Sequence, residues 1–167
     1  KQKTAYEIPK RDWSSDVCSS DLAIALLLLV PPVSPDVLAY GRLVNQPGRA
    51  QVLWAGEGIA STVAVSRRTT GELNYHGAGK IQASTEFQDM RLQRVLGHLT
   101  TLIAAQPRRF LVIGFGAGIT AGAVSIEPRM ESETIVDIEP LVPRKVAPFF
   151  KDANFDLIHN PRAHVVI

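Results

Sequence analysis

FLVIGFGAGITAGAVSIEPRMESETIVDIEP, residues 110–140, decides the fold. Residues 110–113 are consecutive apolar side chains ending at a glycine, the mark of a strand buried on both faces. Gly114-Phe115-Gly116-Ala117-Gly118 reads as a turn, and residues 119–125 as a helix of small side chains. Residues 134–138 form a second buried strand. Strand, turn, helix and strand in this order imply a parallel, doubly wound sheet.

The turn has chemistry of its own. Glycine accepts positive φ and lets a ligand lie against the main chain. The helix that follows presents free N–H groups to the same space. Asp137 falls at the end of the second strand, 19 residues after Gly118. A carboxylate there accepts hydrogen bonds from ribose hydroxyls. Each part alone is common, and the plainer reading is a structural turn with a solvated Asp137. The ordered set points to nucleoside binding. A dinucleotide site has the spacing G-x-G-x-x-G, whose last position here is Ile119. The spacing of Gly114, Gly116 and Gly118 suits a ligand of the S-adenosylmethionine type better.

Working outward, residues 141–150 start a second helix, with Pro143 tolerated in its first turn and Pro148 ending or kinking it. Residues 164–167 begin a third strand. Three strands without a closing half read as an incomplete sheet. Upstream, residues 90–105 carry Leu92, Val95, Leu96, Leu99, Leu102 and Ile103 at three- and four-residue steps, a helical face. Asp89 is the expected N-cap and Pro107 the stop. Before it, short strands over 51–54, 61–66, 73–75 and 80–83 are separated by glycine-containing turns. They predict a small antiparallel sheet, with Val63 and Val65 on one face.

Residues 22–30 (LAIALLLLV) are nine apolar side chains before Pro31 and Pro32. A membrane span needs about 20. The run reads as the end of a span cut short, ahead of a buried segment as the second choice. Residues 1–22 (KQKTAYEIPKRDWSSDVCSSDL) show neither helical nor strand periodicity and resemble a translated sequencing-library adapter. The expected organisation is therefore an adapter-like segment over 1–22 and an apolar stub over 23–35. A small β-rich domain over 36–88 and the first part of a Rossmann-like nucleoside-binding domain over 89–167 follow.

Composition narrows the function. The chain has 18 basic and 16 acidic residues, a net charge of +2, and no basic run interleaved with aromatics. That gives no ground for nucleic acid as a partner. The single cysteine, Cys18, lies in the adapter-like segment, so neither a disulfide nor a redox centre is expected. His76, His98, His159 and His164 are scattered without metal-ligand spacing, so no metal is expected.

GKIQAS (79–84), RLQRVLGHLTTL (91–102), PRRFLVIGFGAGIT (107–120), TIVDIEPLVP (134–143) and NPRAHVVI (160–167) together resemble the spermidine synthases, the polyamine aminopropyltransferases. The likeness covers residues 56–167 and is strongest to forms in which several membrane spans precede the synthase domain. It implies a small N-terminal antiparallel β-domain joined to a methyltransferase-like Rossmann fold. It also implies transfer of an aminopropyl group from decarboxylated S-adenosylmethionine to an amine that an acidic residue deprotonates. By the same resemblance, Gln82 contacts the nucleoside, Gly114, Gly116 and Gly118 form the turn, and Asp137 binds the ribose. Gln93 contacts the polyamine.

Two departures weigh against the amine half. The family turn carries an Asp where Ala117 stands, and its Tyr-x-Glu pattern becomes Leu92-Gln93-Arg94. An Arg beside an amine substrate would repel it. The family's remaining acids would fall beyond Ile167. The expectation is a fragment of a spermidine-synthase-like transferase without turnover of its own. Its parent is expected to be membrane-anchored, with this domain cytoplasmic. A homodimer stays open. The alternatives are a non-catalytic nucleoside-binding sensor of a membrane protein, and a methyltransferase using intact S-adenosylmethionine.

Overall fold

The computed structural model describes residues 14–43 and 50–167. Most of the adapter-like segment, residues 1–13, lies outside the described residues, as do residues 44–49. The chain divides into two units, Lys1–Pro32 and Val33–Ile167.

Among the described residues of the first unit, a helix, α1, runs over Ser14–Leu28. It passes straight through residue 22, where the sequence suggested a break. Its polar residues lie at one end and its apolar residues at the other, so it has no stripe for a 3.6-residue period to reveal. No helix among the described residues is long and apolar enough to cross a membrane.

The second unit opens with a short helix that the sequence reading missed, α2 over Pro35–Tyr40. Ser34 caps it through an Oγ that accepts from the Asp36 amide, and Pro35 occupies the first position, where its missing N–H costs nothing. Four antiparallel strands follow in the order β1 (Ala50–Glu57), β2 (Thr62–Arg68), β3 (Leu73–Gly77) and β4 (Lys80–Ser84). Val63 and Val65 share one face, as expected, and join the main core. Ala64 and Ser66 on the other face are equally buried. There Tyr40 of α2 donates to Ser66 Oγ at 3.2 Å and sets its ring edge-on to His76 at 4.8 Å. Burial pushes the His76 imidazole below its ordinary pKa, so it sits in this contact as a neutral partner of Ser66 Oγ at 2.8 Å.

Helix α3 spans Phe87–Ile103 and starts three residues before the expected position. The cap is Glu86, whose carboxylate accepts from the Gln88 amide at 2.8 Å and the Asp89 amide at 3.4 Å. Asp89, the expected cap, lies inside the helix and accepts from Ser84 Oγ. The apolar stripe from Leu92 to Ile103 is exposed, and the buried residues of α3 are Gly97 and Thr101. A Cβ on Gly97 would meet Ala123 at 2.7 Å, so α3 packs on the next helix through a bare backbone.

The parallel half contains β5 (Arg109–Ile113), α4 (Ile119–Ser125), β6 (Ser132–Val136) and β7 (Ala163–Val166), with strand order β5-β6-β7. The helix expected over 141–150 is broken into a π turn, Val142–Val146, and a 3-10 turn, Ala147–Phe150. Pro148 is the cause, since it has no N–H to continue an α-helical ladder. The register aligns Val112 with Ile135 and Val165 on the covered face, and Ile113 with Val136 and Val166 on the other. Leu111, Ile113 and Val166 on that second face are exposed. One core joins the two sheets, with Val63, Val65 and Tyr75 packed in the same cluster as Phe115, Ile119, Ile135 and Phe150.

Candidate functional site

The glycine turn leaves β5 at Gly114, whose amide donates to Val136 O at 2.7 Å. Gly114, Gly116 and Gly118 have φ of +88°, +58° and +78°, a region that disfavours any side chain. A Cβ on Gly114 or Gly116 would meet no atom within 4 Å. The main chain there borders open space. Gly118 is different, because a Cβ would lie 2.8 Å from the Phe115 ring. It serves as the left-handed residue that starts α4.

That open space is a cavity of about 530 Å³ between the turn, α3 and the antiparallel sheet. Gln82, Gln93, Gly114, Gly116 and Ala117 all line it, although they come from three separate parts of the chain. Gln82 reaches it through a β-bulge. Tyr75 pairs with Ala83 and His76 with Ile81, which leaves Gln82 as the extra residue of β4. A bulge redirects a side chain in this way. Its Nε2 donates to Gly77 O at 3.3 Å, and its side chain is otherwise exposed. Gln93 is held more firmly, donating to Asp89 O at 3.0 Å and Ser84 O at 3.3 Å.

Gly118 and Asp137 do not line the cavity. Asp137 lies just behind it and fixes its wall. One carboxylate oxygen accepts from the Phe115 amide at 2.7 Å and the other from the Glu139 amide at 2.9 Å. A carboxylate has about four acceptor positions, so two remain.

Sequence reasoning did not single out Tyr75 or Ser61 for the site. Tyr75 lines the cavity, and its phenol is pushed up to about 12 by burial and then by the Asp137 and Glu139 carboxylates. It is a neutral hydroxyl at any physiological pH. Glu139, a residue whose sequence position suits a charge at a helix start or, as the second choice, one that shapes the site, is buried and grips the β1–β2 turn. It accepts from the Ala60 amide at 2.9 Å and the Leu141 amide at 3.1 Å, and a Cβ on Gly58 would overlap its carboxylate. Burial pushes its pKa up, but the amides of Ala60, Leu141, Ser61 and Ile59 together hold it below the ordinary value. This clamp brings Ser61 to the cavity.

Arg94 turns away from the cavity. Its guanidinium stacks over Phe155 at 5.1 Å from the ring centre and is not among the residues that line the cavity. The described lining contains no carboxylate either.

These features define a methyltransferase-like α/β half preceded by a small antiparallel sheet. No protein-family model matches the chain, and no curated protein matches it. Among solved structures it is similar to a spermidine synthase in complex with the transition-state analogue AdoDATO, with a TM-score of 0.63 and 19% identity over 70% of this chain and 39% of that one. It is similar to the spermidine synthase of Thermotoga maritima, also at TM-score 0.63 and 19% identity, over 70% of this chain and 41% of that one. The fold is therefore spermidine-synthase-like, and the chain spans about two fifths of the length of the structures it matches.

Proposed function

We propose that this chain binds decarboxylated S-adenosylmethionine in the cavity bordered by Gly114 and Gly116, as part of a spermidine-synthase-like aminopropyltransferase. The observation that carries this reading is the convergence of Gln82, Gln93 and an open glycine backbone on one cavity. A relative in fold is known in complex with AdoDATO, a transition-state analogue. In this reading the nucleoside lies along Gly114 and Gly116, with Gln82 as a hydrogen-bonding partner. Asp137 offers its free acceptor positions to the ribose. Gly118 contributes by shaping the turn, and Gln93 faces the amine end. No metal takes part.

The lining favours a second reading for the amine half. Ala117 is buried in the cavity wall, and no carboxylate is present there to neutralise a polyamine. Nucleoside binding without aminopropyl transfer is the alternative, and use of intact S-adenosylmethionine a weaker one. The membrane-anchored, cytoplasm-facing parent rests on residues 22–30 and the resemblance alone.

Calorimetric titration of the chain with decarboxylated and with intact S-adenosylmethionine tests the reading. Preferential, saturable binding of the decarboxylated form supports it. Preference for the intact form favours the methyltransferase reading, and no binding of either removes the proposal. The isolated chain is expected to release no methylthioadenosine when putrescine is added, and measurable release would overturn that expectation.

A further inference from the structure

Asn154 stands outside the cavity yet touches the turn that forms it. Its residue is 1% exposed, and its Nδ2 donates to two carbonyls, Ala117 O and Ala147 O, each at 3.1 Å. Ala117 is the residue between the second and third glycines of the turn, 37 positions earlier in the chain. Two glycines are pressed against Asn154. A Cβ on Gly118 would lie 3.2 Å from its Nδ2, and one on Gly122 would overlap its carbonyl oxygen.

Two further observations show that this placement is costly. The Asn154 Oδ1 is buried and has no hydrogen-bond partner. A buried acceptor without a donor is destabilising, so the amide is kept here at a cost. What the amide supplies is its donor pair. The two residues that follow, Phe155 and Asp156, have φ of +56° and +51°. Consecutive left-handed residues with side chains are disfavoured and persist only where their surroundings impose them. The chain is bent here to hold Asn154 under the turn.

We infer that Asn154 is a positioning residue, which holds the Ala117 carbonyl so that the Gly114–Gly118 backbone stays open for the nucleoside. The inference rests on the proposed function for its ligand but not for its geometry. The test compares wild type with Asn154→Ala, and with Asn160→Ala as a control whose lost contacts, to Ser125 O and from the Arg162 amide, lie away from the turn. Hydrogen exchange is followed at the amides of residues 114–119 and at β2. Affinity for decarboxylated S-adenosylmethionine is measured well below the unfolding temperature.

The expected result for Asn154→Ala is about tenfold faster exchange at the turn with β2 unchanged, and about tenfold weaker binding, a change of about 1.4 kcal/mol. The control should alter neither. Equal acceleration in turn and β2, or no change at the turn, overturns the inference, because Asn154 would then only support the core. If Asn154→Ala does not fold, Asn154→Ser retains one donor and is expected to show the same pattern in weaker form; wild-type exchange at its turn refutes the assignment. Failure of wild type to bind any nucleoside removes the proposed function, and the exchange data still decide the role of Asn154.

Discussion

Glu133 offers the sharpest perturbation. It is the second residue of β6, paired with Phe110 on one side and Ala163 on the other, and is fully buried. Neither carboxylate oxygen has a partner. Arg162 accepts from the Glu133 amide through its carbonyl, but turns its guanidinium to Met130 O and Ser125 O instead. Burial alone pushes this carboxyl from its ordinary 4.5 up to about 8. The folded chain therefore holds a proton there that the unfolded chain releases. Its contribution to stability is complete below pH 4.5 and is lost as pH rises through about 8. The slope is about 1.4 kcal/mol per pH unit, and across the whole window the loss reaches about 5 kcal/mol at most. Against a typical domain stability of about 5–15 kcal/mol, that loss is large enough to read by urea unfolding. Glu133→Gln is neutral at every pH. Urea unfolding of both proteins in steps from pH 5 to 9 should show wild type falling steadily toward pH 8 relative to the variant, with the variant the more stable at pH 8. Parallel curves from pH 5 to 8 would refute the reasoning.

The other predictions concern the turn, the clamp and the bulge. Glu139→Ala leaves the Ala60 and Leu141 amides without their acceptor and should cost roughly 1–3 kcal/mol in urea unfolding. Because its carboxyl is held below the ordinary value, the wild-type contribution of Glu139 should be present above pH 4.5 and fade on acidification, opposite in sign to Glu133. Gly58→Ala should destabilise by roughly 1–3 kcal/mol, since its methyl overlaps the same carboxylate; an unchanged unfolding midpoint would show that the turn gives way freely. Gly116→Val puts a branched side chain at φ +58° in open space, so it should cost about 1–2 kcal/mol of stability while abolishing measurable nucleoside binding. Gln82→Ala should weaken nucleoside binding by about tenfold, the worth of one hydrogen bond, and leave unfolding unchanged within about 0.5 kcal/mol.

The sequence made the elements of the parallel half legible because their signals are local. An apolar run ending in Gly114 marked β5, and small residues bounded by Gly118 marked α4 at its observed limits. The antiparallel strands were equally plain from alternation and glycine turns. Long-range facts were harder to read. The stripe on α3 suggested a buried face, whereas the contact with α4 runs through Gly97, where the signal is the lack of a side chain. Asp89 looked like a cap because Asp favours that position, but the register of β4 placed Glu86 there first. Gln82 and Gln93 were found through resemblance, while the bulge that turns Gln82 toward the cavity depends on pairing across β3. Asn154 gave no local sign at all, because its partners lie 7 and 37 residues away.

The central claim is that the open backbone of Gly114 and Gly116 holds a nucleoside of the decarboxylated S-adenosylmethionine type. Calorimetric titration of wild type beside Gly116→Val, both shown to be folded by circular dichroism, tests it most directly. The account predicts saturable binding of one ligand per chain by wild type and none by the variant. Equal binding by both, or no saturable binding by folded wild type at millimolar ligand, would contradict it.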